Sequence, residues 1–111
     1  MQITATEQGT TIVAALVGRM DAMTTVEFDH WFSGQLAAAR RQFVLDMQGL
    51  EYISSAGLRS LLAAAKQLKL QSGSLALCCL HGTVEEVFRM SGFLSILPAF
   101  PSVDEACASL S

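Results

Sequence analysis

The sequence predicts an α/β domain in which short strands alternate with helices. Three observations carry that reading. Short β-branched or apolar runs such as "TTIVAALV", "QFVLDM" and "LALCCL" are separated by longer segments whose apolar residues recur at helical spacing. Glycines, serines and prolines punctuate the joins. The chain has 111 residues, 51% of them hydrophobic, which suffices for one core of ordinary size. Alternation of this kind layers helices on a sheet, with right-handed crossovers between parallel strands. No repeat or linker interrupts it, so residues 1–111 are read as a single domain.

The elements follow in order. "QITATEQGTTIVAALVG" gives two short strands about a turn at Gln8-Gly9, with Ile12, Val13, Leu16 and Val17 favouring extension and Gly18 ending the run. In "RMDAMTTVEFDHWFSGQLAAARR" a helix capped by Asp21, Thr24 or Thr25 carries Val26, Phe28, Phe32, Leu36 and Ala39 on one side. "QFVLDM" is a buried strand closed by Asp46, and "QGLEYIS" is read as a turn. From Ala56 to about Leu70 a helix turns Leu58, Leu61, Leu62, Ala65 and Leu68 inward. "SGS" at Ser72 to Ser74 closes it. "LALCCL" is the next buried strand. "TVEEVFRMSG" is a short helix capped by Thr83, with Val84, Val87 and Phe88 inward and Gly92 at its end. "LSILPAFPS" is an extended edge, and "SVDEACASL" is a last helix with Ser102 and Glu105 as a capping box.

Composition narrows the function. Charged residues make up 15%, below the usual share of about 25%, which suits either a docking surface or a plain Ala-rich domain. The net charge is −3 with no block of like charges, which disfavours direct nucleic-acid binding and anionic membrane surfaces. No apolar run approaches the roughly 20 residues of a membrane span, and no targeting signal opens the chain, so the expected setting is cytoplasmic. Cys78, Cys79 and Cys107 do not make an even disulfide framework. In a strand Cys78 and Cys79 would face opposite ways, and no His or second Cys pair stands at ligand spacing, so neither a metal nor a cofactor is expected.

The informative stretch is "LEYISSAGLRSLL". Ser54 and Ser55 open the longest helix, where amides lack partners. One serine is explained as a cap worth roughly 1 kcal/mol; the second is not. Gly57 disfavours a helix by roughly 1 kcal/mol against Ala, and a small residue there lets something approach the backbone closely. Catalysis is not indicated. "ISSAG" lacks the first glycine of a nucleophile elbow, His30 and His81 are boundary residues with no sign of pairing to a serine, and no phosphate-cradling G-x-x-x-x-G-K-[ST] occurs.

Here the chain resembles the STAS family in its small single-domain form, the bacterial anti-anti-sigma factors (anti-sigma factor antagonists). The resemblance rests on "GRMDAMTT", "FVLDMQGLEYISSAGLRSLLAAAKQL" and the stretch from "GSLALCCLHGTVEEVFRMSG" to the end. In "YISSAGL", Ile53 takes the family's apolar position, Ser54 stands where Asp is usual, and Ser55 matches the phosphorylated serine. Ala56 replaces a Ser/Thr, and Gly57 and Leu58 match. The family's acidic residue before the first helix falls on Asp21. The resemblance implies the STAS fold, a mixed four- to five-stranded single sheet with about four helices packed mainly on one side. It implies a binding module rather than an enzyme. Its unphosphorylated form would bind an anti-sigma factor serine kinase of the histidine-kinase-like ATPase fold. Phosphorylation of Ser55 would end binding, and a PP2C-type serine phosphatase would restore it. The implied contact surface is Asp21, Met23, Thr24, Ser54, Ser55, Gly57, Arg59, Ser60 and Ala63. Two other classes stay open: a structural STAS subunit of a larger assembly such as a lipid-transport ATPase complex, and a small-ligand module holding an anion at the helix start.

Overall fold

The computed structural model describes residues 1–110. Six strands form one sheet: β1 (Gln2–Gln8), β2 (Thr11–Met20), β3 (Gln42–Asp46), β4 (Leu50–Ile53), β5 (Ser74–Cys78) and β6 (Ala99–Phe100). Four helices join them: α1 (Thr25–Ala37), α2 (Ser55–Leu70), α3 (Gly82–Ser91) and α4 (Val103–Leu110), with a 3₁₀ turn at Phe93–Ser95. β1 pairs antiparallel with β2, and every other pairing is parallel. The strand order is β1-β2-β3-β5-β6, with β4 attached to β2.

Alternation along the inner strands sorts the core into two faces. Ile12, Ala14, Leu16, Phe43, Leu45, Leu75 and Leu77 face α1, α2 and α3. Val13, Val44, Ala76 and Cys78 face Ala106 of α4. The larger side carries the fully buried aromatics: Phe28 and Phe32 stack at 5.9 Å, and Phe32 meets Phe43 at 5.2 Å. Full burial of a side chain such as Phe88 stabilises by roughly 1.5–3 kcal/mol. Helices therefore lie mainly on one side, as expected.

Several details differ from the sequence reading. The sheet has six strands rather than four or five, because "LEYI" is a strand and not a turn. Only Leu50 and Ile53 of its four residues are buried, so it carries no periodic signal. Gly18 does not end β2. It sits at φ 106°, where the pairing register with β4 shifts, and its N–H donates to Gly49 O at 2.9 Å. That glycine bulge lets one strand pair with β3 through Thr11–Ala15 and then with β4 through Gly18–Met20. On α1, Val26 is exposed and Ala39 lies beyond the helix with φ 64°. On α2, Ala64 is fully inward whereas Leu62 and Ala65 are half-buried. Thr83 lies inside α3, whose cap position is His81. "LSILPAFPS" is extended only at Ala99–Phe100. Ser102 caps α4 as expected, accepting from Glu105 N–H at 3.1 Å.

Candidate functional site

The parallel pair β2–β4 positions the site. Met20 and Ile53 are register partners at the strand ends, and Ser54 N–H donates to Met20 O at 2.9 Å. The Asp21–Thr24 loop and the start of α2 consequently emerge side by side, at the carboxyl ends of two strands.

The two serines divide the work. Ser54 is extended (φ −96°, ψ 175°), its Oγ accepts from Gly57 N–H at 3.3 Å, and its carbonyl accepts from Leu58 N–H at 3.0 Å. It is the N-cap. Ser55 is the first helical residue, exposed and free of capping duty. Gly57 is buried. A Cβ there would lie 2.7 Å from Ile53 Cγ1 and 3.0 Å from Met20 O. The close approach inferred from the sequence is therefore made by the protein's own β2 and β4, and Gly57 presents no surface to a partner. That corrects the expectation of Gly57 as a contact residue.

The neighbouring loop is held by a reciprocal clasp. Asp21 Oδ1 accepts from Met23 N–H at 3.0 Å and Thr24 N–H at 3.1 Å. Thr24 Oγ1 accepts from Asp21 N–H at 2.9 Å and donates to Arg19 O at 2.8 Å. The amide of Thr24 acts most strongly on the Asp21 carboxyl; desolvation opposes it, but with the Met23 amide, the Thr24 hydroxyl and the Arg19 charge it holds the carboxyl below its ordinary value. Asp21 thus stays ionised at the amide end of α1, where a negative charge is favoured. The clasp leaves Met23 86% exposed, an apolar side chain presented to solvent on an ordered loop.

A groove of about 530 Å³ runs from this junction between α1 and α2. Thr25, Asp29 and Ser33 line one wall; Ala56, Arg59, Ser60 and Ala63 line the other. Asp21, Met23, Thr24, Ser54 and Ser55 are thus gathered at one end, with Arg59, Ser60 and Ala63 along the groove. Sequence reasoning missed the α1 wall and the Arg19–Tyr52 pair. Arg19 Cζ stands 4.2 Å over the Tyr52 ring, and the two residues are register partners. That pair becomes visible only once β4 is known to be a strand.

Among the described residues neither histidine is hydrogen-bonded to Ser55. His30 is exposed on α1, and His81 Nε2 lies 2.7 Å from Gln48 O. The junction presents the exposed Ser55 hydroxyl beside the amides that open α2.

The STAS domain family model matches residues 2–106. The chain belongs to the STAS domain family. It is 42% identical over 98 residues to "Putative anti-sigma factor antagonist BtrV" of Bordetella bronchiseptica, an alignment covering 88% of this chain and 84% of that one. The fold matches the crystal structure of an anti-sigma factor antagonist from Mycobacterium paratuberculosis with a TM-score of 0.88 at 19% identity, covering 98% and 92% of the two chains. It also matches Bacillus SpoIIAA in its phosphorylated form, with a TM-score of 0.76 at 18% identity over 99% and 100% of the chains. This STAS domain stands with the anti-sigma factor antagonists, and among its described residues no helix is long and apolar enough to cross a membrane.

Proposed function

We propose that this STAS domain is an anti-sigma factor antagonist switched by phosphorylation of Ser55, acting in the cytoplasm. Unphosphorylated, it docks on an anti-sigma factor that is also a serine kinase. The docking face is Asp21, Met23, Thr24, Ser54 and Ser55 together with Arg59, Ser60 and Ala63. The kinase transfers the γ-phosphoryl group of ATP to Ser55 Oγ, releasing ADP and the hydroxyl proton, and the complex dissociates. A PP2C-type phosphatase hydrolyses the ester and resets the module.

The observation that carries this reading is the division between the serines. Ser54 makes the cap bond, so modification of Ser55 costs the helix nothing in capping. A phosphate adds about −1.5 to −2 charges near neutral pH. At the first turn of a 16-residue helix that charge meets unpaired amides and the positive end of the dipole. No acidic residue occupies that turn to repel it. The fold tolerates the anion, whereas a desolvated partner surface does not. Ser54, a neutral residue where the family usually has Asp, also leaves the acceptor without an adjacent carboxylate.

The test is incubation with the cognate kinase and ATP, followed by intact mass and site mapping. One phosphate on Ser55 is expected. Ser55→Ala should bind the kinase and resist release by ATP, and Ser55→Asp should bind weakly while unfolding normally. A phosphate confined to Ser54, or full function of Ser55→Ala, overturns the assignment.

A further inference from the structure

A second cluster lies away from the Ser55 junction, at the carboxyl ends of β3 and β5. Asp46 and Cys78 are register partners across those strands, so their side chains leave the sheet on the same face. Cys79 would point to the opposite face if the strand continued. It does not: its φ is 61°, a left-handed conformation that non-glycine residues seldom adopt. Its N–H donates to Phe100 O at 3.1 Å, and its thiol donates to Pro101 O at 3.6 Å. The broken alternation brings its sulfur back beside Cys78. The two sulfurs and a carboxylate oxygen of Asp46 all lie within 4.8 Å of one another.

Three features suit this cluster to a cation. Asp46 has no ion-pair partner among the described residues. One of its oxygens, Oδ1, accepts from Gln48 N–H at 3.0 Å, which fixes the carboxylate's orientation. Asp46 and Cys79 are half-exposed while Cys78 is buried, so the cluster opens to solvent on one side. A backbone strain at a set of potential ligands is itself a pointer to function.

We propose that Asp46, Cys78 and Cys79 form a site for a thiophilic divalent cation of the zinc class, bound by two thiolates and one carboxylate, with water in the fourth position. Two sulfur donors disfavour magnesium and calcium, which take oxygen ligands. Tetrahedral zinc with Zn–S bonds near 2.3 Å places its sulfurs about 3.8 Å apart. With the three ligand atoms all within 4.8 Å of one another, the sulfurs need to converge by at most about 1 Å to reach that spacing. Each thiol gives its proton to solvent as its sulfur binds, so two protons leave per metal. No histidine and no C-x-x-C spacing announces such a site, because one ligand comes from a strand distant in sequence and another from a backbone conformation.

The test uses the full, reduced chain without oxygen, titrated with Cd²⁺ and Zn²⁺. The expected result is one equivalent bound, an ultraviolet sulfur-to-cadmium charge-transfer band, and release of two protons. Cys79→Ser should abolish the band and weaken Zn²⁺ binding at least about 100-fold. Asp46→Asn keeps an oxygen for Gln48 N–H and should weaken binding about 10-fold or more. Cys107→Ser, which removes a thiol that donates to Gln8 Oε1 at 3.6 Å and packs on the same side of the sheet but lies outside the three-residue cluster, should change nothing. Both substituted ligands are half-exposed, and urea unfolding of the metal-free variants checks that they fold. Absence of stoichiometric binding at micromolar metal, binding that survives Cys79→Ser, or binding that needs Cys107 overturns the proposal.

Discussion

Gly57→Ala is the most discriminating substitution in this domain. Inside a helix, alanine ordinarily stabilises relative to glycine by about 1 kcal/mol. Here the new methyl would sit 2.7 Å from Ile53 Cγ1, 3.0 Å from Met20 O and 3.1 Å from Met20 Cγ. Met20 O cannot withdraw freely, because it accepts from Ser54 N–H at 2.9 Å and so ties the start of α2 to β2. Overpacking of this kind costs about 1–3 kcal/mol. The propensity gain is therefore cancelled or exceeded, with a net loss of up to about 2 kcal/mol. Gly34→Ala is the control. It is the same change in α1 at a glycine with nothing within 4 Å, and it should stabilise by about 0.5–1 kcal/mol. Urea unfolding followed by far-UV circular dichroism measures both. The midpoint of Gly57→Ala should fall below that of Gly34→Ala by the equivalent of about 1–3 kcal/mol. Equal gains for the two variants would refute the packing account of Gly57 and return the residue to a surface role.

Further outcomes follow from the junction. Ser54→Ala should cost about 1 kcal/mol through loss of the bond to Gly57 N–H, while Ser55→Ala stays within about 0.5 kcal/mol of wild type, both read from denaturant midpoints. Ser55→Asp should hold or raise stability, by about 0.3–1 kcal/mol at low salt, since its charge meets the dipole of α2; a marked destabilisation would contradict a tolerated phosphate. The folded-state pKa of Asp21 is depressed below its ordinary 3.8. Its contribution to stability is therefore complete above that value and is lost as pH falls through the depressed one. Asp21→Ala should consequently differ most from wild type near neutral pH and converge with it in strong acid, and an NMR titration of the Asp21 carboxyl should give a midpoint below 3.8. Removal of the clasp should also loosen the Met23 loop, seen as faster amide exchange at Met23 and Thr24.

Much of this protein is written locally. The strands β2, β3 and β5, the helix α2 and the cap at Ser102 follow from runs, periods and caps that a reader of the chain can see. The motif "YISSAGL" marks the strand-to-helix serine junction in the same way. Local pattern failed where an element's identity depends on its neighbours. "LEYI" is a strand because β2, freed from β3 by the bulge at Gly18, offers it an edge. Val26 has the spacing of a core residue but is exposed because the core face of α1 is defined by Phe28 and Phe32 against Phe43.

The sequence by itself determined the α/β order, the family and the position of two adjacent serines at a helix start. Tertiary structure decided what each serine does, because capping depends on which hydroxyl meets Gly57 N–H. It decided that Gly57 answers to β2 and β4 rather than to a partner, because the contact is made by residues paired across strands. It also brought Asp46 to Cys78 and turned Cys79 toward both. Spacing along the chain carries helix and strand periods; it does not carry distances between strands or the sign of a single φ.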